Sequence, residues 1–153
     1  MTRRTLYLVA LSACAEPDYI TSHGLEVYDD TGHVARADVE ASTDLVLTLV
    51  GNDQHTLKGL ELRISHDPVE AYGKTHAGLT YYGERFEVQA APSCWARTAF
   101  AHELLHHFQW VQTGKQDHYH ASPIWWALNG ASESLEARAN HLAVEALCPR
   151  DTE

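Results

Sequence analysis

Residues 98–113 read Thr-Ala-Phe-Ala-His-Glu-Leu-Leu-His-His-Phe-Gln-Trp-Val-Gln-Thr, and within them His102, Glu103 and His106 form the string H-E-x-x-H. On an α-helix, side chains four apart leave from one face, so His102 and His106 can direct two imidazole nitrogens at a common point with Glu103 beside it. The ion suited to that point is zinc. Phe100, Leu104, Phe108 and Val111 recur at helical spacing on the other side, which gives the helix an apolar stripe to bury while the histidines face a cleft. A helix from about Ser93 to Thr113, stopped by Gly114, is therefore the expected centre of the fold.

Working outward toward the N-terminus, Phe86 to Ala90 alternates apolar and polar residues, and Pro92 closes it as a strand. Leu60 to Ser65 alternates in the same way. Between Val69 and Gly83, several glycines argue for loops, with Leu79 to Tyr82 a short strand. Phe86 to Gln89 is the segment expected to form an exposed edge strand above the cleft, where an extended peptide could pair. Val39, Thr43, Val46 and Val50 fit a helix starting at about Ala37. Residues 15–37 are polar and acidic without a sustained period and read as a tether or irregular lead-in.

Toward the C-terminus, Lys115 to Pro123 is polar and loop-like. Ile124 to Leu147 is rich in Ala, Leu and Glu, with Leu128, Leu135 and Leu142 in register, and predicts a second long helix ended by Pro149. The fold class expected from these elements is α+β: a small mixed sheet packed on an active-site helix and a second long C-terminal helix. Residues 38–153 would form the domain, preceded by residues 14–37 as a lead-in and residues 1–13 as a targeting peptide.

That targeting reading rests on Arg3 and Arg4, the short apolar run from Thr5 to Leu11, and Leu11-Ser12-Ala13-Cys14. The last string resembles a bacterial lipobox. The resemblance implies cleavage before Cys14, a lipid on its thiol, and attachment to the membrane of the cell envelope. Cys94 and Cys148 are then the two remaining cysteines, an even number that an oxidising compartment could join.

The chain has 153 residues, 44% of them hydrophobic, enough for one domain with its own core. Its formal net charge is −10, with 11 Lys and Arg against 21 Asp and Glu. Such a balance offers no footprint for phosphate backbones and excludes nucleic acid as the expected partner. The 11 histidines are an excess. His102, His106, His107, His118 and His120 crowd one short segment, which suits metal ligation.

A catalytic zinc takes three protein ligands and keeps a fourth position for water. His102 and His106 are two. For the third, His120 in the loop, and Glu133 or Glu136 on the last helix, are all admissible. His106 precedes Gly114 by about 12 Å of helical rise, a distance the loop to His120 can retrace. Antiparallel helices would bring residues near Glu133 level with the metal.

Two family resemblances bear on the choice. His102-Glu103-Leu104-Leu105-His106, then Gly114, then Asp117-His118-Tyr119-His120 with Trp125 following, resembles the pattern of SprT-like zinc metalloproteases. Ala121 stands where that pattern has Gly, and the aromatic falls one residue late. The resemblance covers residues 81–126 and implies a zincin-like fold, a zinc cofactor, a peptide or protein substrate, and His120 as third ligand. Glu136-Ala137-Arg138-Ala139-Asn140, running on through Ala143 and Leu147 to Pro149, is similar to the E-x-x-A-N helix of the ImmA/IrrE zinc peptidases and implies Glu136 instead.

The expected chemistry is peptide hydrolysis without a covalent intermediate. Zinc acidifies a bound water and polarises the scissile carbonyl. Glu103 takes the water's proton and delivers it to the leaving amine. Tyr119, His107 and His118 are candidate oxyanion donors, and Asp117 a candidate to orient a ligand imidazole. A zinc-binding lipoprotein without catalysis is the alternative function, although zinc storage has no use for Glu103.

Overall fold

The computed structural model describes residues 16–51, 55–90 and 95–116, the first turn of the last segment by its backbone alone. These residues form an α+β unit with one mixed sheet and two helices. The elements are β1 (Tyr19–Ile20), β2 (Glu26–Asp29), α1 (Arg36–Val50), β3 (Glu61–Ser65), β4 (Val69–Ala71), β5 (Lys74–His76), β6 (Gly78–Tyr81), β7 (Arg85–Gln89) and α2 (Trp95–Thr113). Five strands make the main sheet in the order β1-β2-β3-β7-β6. The central pairings, β2 with β3 and β3 with β7, are parallel, whereas β1 and β6 run antiparallel at the two edges.

Strand alternation decides which face of the sheet is covered. Leu62, Ile64, Phe86 and Val88 are buried, and so is Val27. Their neighbours Glu61, Arg63, Arg85 and Glu87 lie on the opposite face, paired as Arg63–Glu61 and Arg85–Glu87. Both helices therefore pack on one side. α1 contributes Val39, Val46 and Leu47 to the core, and α2 contributes Phe100, Ala101, Leu104, Leu105 and Phe108. The buried hydroxyls of Ser42 and Thr43 donate to the carbonyls of Asp38 and Val39 one turn back, so α1 can bury them without stranding a polar group.

Three expectations are corrected. Residues 14–37 are not an irregular lead-in where they are described: β1 and β2 belong to the sheet, and Leu25 and Val27 are fully buried. The strand is four residues long between polar turns, too short for its alternation to rise above them. The Asp29 carboxylate then shapes the following turn by accepting from the Thr31 and Val34 amides and the Thr31 hydroxyl. The second correction concerns the loops expected over residues 69–77, which hold the β4–β5 hairpin. Tyr72 and Gly73 sit at its tip with φ of 53° and 70°, the consecutive left-handed residues of a two-residue hairpin turn.

The third correction bears on function. Phe86 to Gln89 is no edge strand: β7 lies between β3 and β6, and among the described residues the edge is β6. Phe86 and Val88 are each 1% exposed, and the strand that carries them is hydrogen-bonded to β3 on one side and β6 on the other. Within α2, Val111 leaves the apolar stripe and is 46% exposed. The helix ends as expected at Gly114, whose amide donates to the Trp110 carbonyl at φ 68°. The expected helix over residues 124–147, and Cys14, Cys94 and Cys148, lie outside the described residues. Among those described, no helix is long and apolar enough to cross a membrane.

Candidate metal centre

The buried stripe of α2 fixes the rotation of the helix against the sheet, and that rotation sets the directions of His102, Glu103 and His106. His102 is half-buried and His106 is buried. Their rings meet at an interplanar angle of 81° with centroids 4.8 Å apart, and the two Nε2 atoms are 3.2 Å from each other. Two imidazole nitrogens bound to one tetrahedral zinc at about 2.05 Å each would be separated by about 3.3 Å. The spacing of the two nitrogens, which also lets one ring hydrogen-bond the other, is close to that separation. Among the described residues no three His, Cys, Asp or Glu side chains gather into a set able to hold a metal. His120, Glu133 and Glu136, the candidates for completing the set, lie outside them.

Glu103 does not join the histidine pair. It is 7% exposed and turns to the edge strand, where the Thr80 hydroxyl lies 2.7 Å from its Oε2 and 2.8 Å from its backbone carbonyl. Gly78 gives it room: a Cβ there would stand 2.9 Å from Glu103 Cγ and 3.0 Å from Oε1. Burial pushes the Glu103 carboxyl up to about 7, against the opposing pull of the Thr80 hydrogen bond. A carboxylate with one oxygen held and most of its hydration removed is suited to taking up and releasing a proton near neutrality.

His107, a candidate oxyanion donor by its sequence position, takes another place. It is 4% exposed and packs among the rings of His55, Phe86, Phe108 and Trp110. Burial, with a smaller contribution from His55, lowers its pKa to about 4. It belongs to the packing of α2 on the sheet. Trp110 closes the same end, with its ring against Tyr82 and against Gly83 at the β6–β7 turn. Tyr119, His118 and Asp117 lie outside the described residues.

Comparison with protein-family models, with curated proteins and with solved structures found no match for this chain.

Gly78 and Thr80 are the participants that the sequence reading missed. Neither belongs to a motif, and both sit in a stretch read as loop and short strand. The available signal was a β-compatible Leu-Thr-Tyr run directly after a glycine, which places Thr80 on the face opposite Leu79.

Proposed function

We propose that this chain is a zinc-dependent metalloendopeptidase of zincin type, related to the SprT-like enzymes and held at the bacterial cell envelope through a lipidated Cys14. The observation that carries the reading is the convergence of the His102 and His106 Nε2 atoms at 3.2 Å beside a buried Glu103 that is held by a different element. His102 and His106, with His120 as the third ligand, would hold the ion. When bound, zinc supplies a Lewis acid that polarises a carbonyl and acidifies water.

The chain's own groups do the rest. Glu103 accepts a proton at its carboxylate and returns it to the departing amine. β6 pairs with β7 on one side only among the described residues, so its other edge offers backbone donors and acceptors to an extended peptide. A net charge of −10 steers the molecule away from nucleic acids.

The test is elemental analysis of the purified protein with a casein-cleavage assay, on wild type and Glu103→Gln. Zinc bound by both and cleavage reduced at least roughly 10²-fold in the variant support the reading. Protein that takes up no zinc with ample metal supplied overturns it. Zinc-loaded wild type that cleaves nothing leaves a zinc-binding lipoprotein instead.

A further inference from the structure

The Thr80 hydroxyl has one hydrogen and two acceptors within reach, the Glu103 carboxylate at 2.7 Å and the Glu103 carbonyl at 2.8 Å. Both contacts run from the edge strand to one residue of the helix, across 23 positions of sequence. Thr80 is itself 6% exposed, so water does not compete for the bond. Two residues earlier on the same face of β6, Gly78 leaves a space that the Glu103 side chain fills to within 3.0 Å of where a Cβ would be. One residue thus holds the carboxylate and another clears the place where it lies. The opposite edge of this short strand carries no sheet partner among the described residues.

We propose that Thr80 is the positioning residue of the general base, fixing one carboxylate oxygen of Glu103 in the clearance provided by Gly78, so that the strand offered to substrate is also the strand that aims the base. The inference rests on the peptidase reading above and extends it to a residue outside the H-E-x-x-H string. A buried hydroxyl at a strand–helix contact could serve packing alone, and the two roles separate by experiment. Positioning requires the oxygen and tolerates loss of the methyl; packing requires the volume and tolerates loss of the oxygen.

Thr80→Val keeps the volume and removes the hydroxyl, and Thr80→Ser does the reverse. The expected result is a fall in kcat of roughly 10- to 100-fold for Thr80→Val with KM and zinc content unchanged, and recovery to within about threefold of wild type in Thr80→Ser. A double-mutant cycle of Thr80→Val with Glu103→Ala, read by urea unfolding of metal-stripped protein, is expected to depart from additivity by at least about fivefold in the unfolding constant.

Wild-type kcat in a folded, zinc-loaded Thr80→Val overturns the proposal, as does equal damage in Thr80→Ser and Thr80→Val. An additive cycle in a protein that cleaves casein removes this proposal alone. Wild-type protein that cleaves nothing removes the peptidase reading and the positioning role with it, whatever the cycle shows.

Discussion

Glu103→Gln should make the metal-stripped protein more stable at pH 8 while abolishing the proposed activity of the zinc-loaded form. In the fold the carboxyl titrates at about 7 against an ordinary 4.5, because burial disfavours its charged form. The unfolded chain therefore releases this proton first. As pH rises from about 4.5 to about 7, ionisation stabilises the unfolded state alone, and the native state loses stability until its own carboxyl ionises. Above that the loss is constant. At about 1.36 kcal/mol per tenfold change in proton affinity, the full loss is about 3 kcal/mol. Glutamine carries no charge to desolvate, and its amide oxygen can still accept from Thr80. The assay is urea unfolding followed by tryptophan fluorescence, with chelator present, at pH 4.5 and pH 8. With a denaturant slope of about 1.5 kcal/mol/M, the variant's midpoint should lie about 2 M above wild type at pH 8 and coincide with it at pH 4.5. Equal midpoints at pH 8, or a difference that does not change with pH, would refute the reasoning.

His107 predicts the opposite slope. Its folded pKa of about 4 lies below the ordinary 6.5, so the unfolded chain gains a proton first as pH falls. Stability should drop by on the order of 3 kcal/mol between about pH 6.5 and pH 4 and show no contribution above that window, and His107→Leu should remove the slope in pH-dependent urea unfolding. Gly78→Ala places a methyl within 3.0 Å of the Glu103 side chain, so casein cleavage should fall at least tenfold, by order of magnitude, while zinc content stays at the wild-type level. His102→Ala, His106→Ala and His120→Ala should each lose zinc in elemental analysis and Glu136→Ala should retain it; the reverse pattern for the last two would assign the third ligand to Glu136. Phe86→Ala, at a side chain 1% exposed in the middle of the sheet, should cost about 3–5 kcal/mol by denaturant unfolding.

The parts legible in the sequence are those with long periods. α2 is 19 residues long and its described buried positions run from Ala99 to Gln109, and its end at Gly114 was marked by residue type alone. β3 and β7 each alternate over five residues and emerged as strands. β2, with four residues, did not, and neither Val27 within it nor Leu25 just before it gave a sign of being as buried as Leu62. Strand order was misjudged for a physical reason. Alternation reports that one face is buried, and it carries no information on how many edges are paired, so Phe86 to Gln89 looked equally fit for the edge and the centre. The two histidines and Glu103 were legible because their spacing is local. Thr80 and Gly78 were not, because their relation to Glu103 exists only once β6 lies along α2.

The two buried titratable residues of α2 separate what the fold needs from what it tolerates. Neutral His107 serves as a flat ring among Phe86, Phe108 and Trp110, and above pH 6.5 its burial carries no ionisation penalty. Glu103 is different. At pH 7 and above it is the less favourable state of a buried acid, at a position where leucine or alanine would cover the sheet without that penalty. Among the described residues, its surroundings do not relieve it with a cation. They hold one oxygen through Thr80 and leave room through Gly78. Two other side chains of the same helix bring their nitrogens within 3.2 Å of each other one turn apart. A buried acid with a raised proton affinity, next to two imidazole nitrogens 3.2 Å apart, is the combination on which the proposed proton transfer beside a bound cation rests.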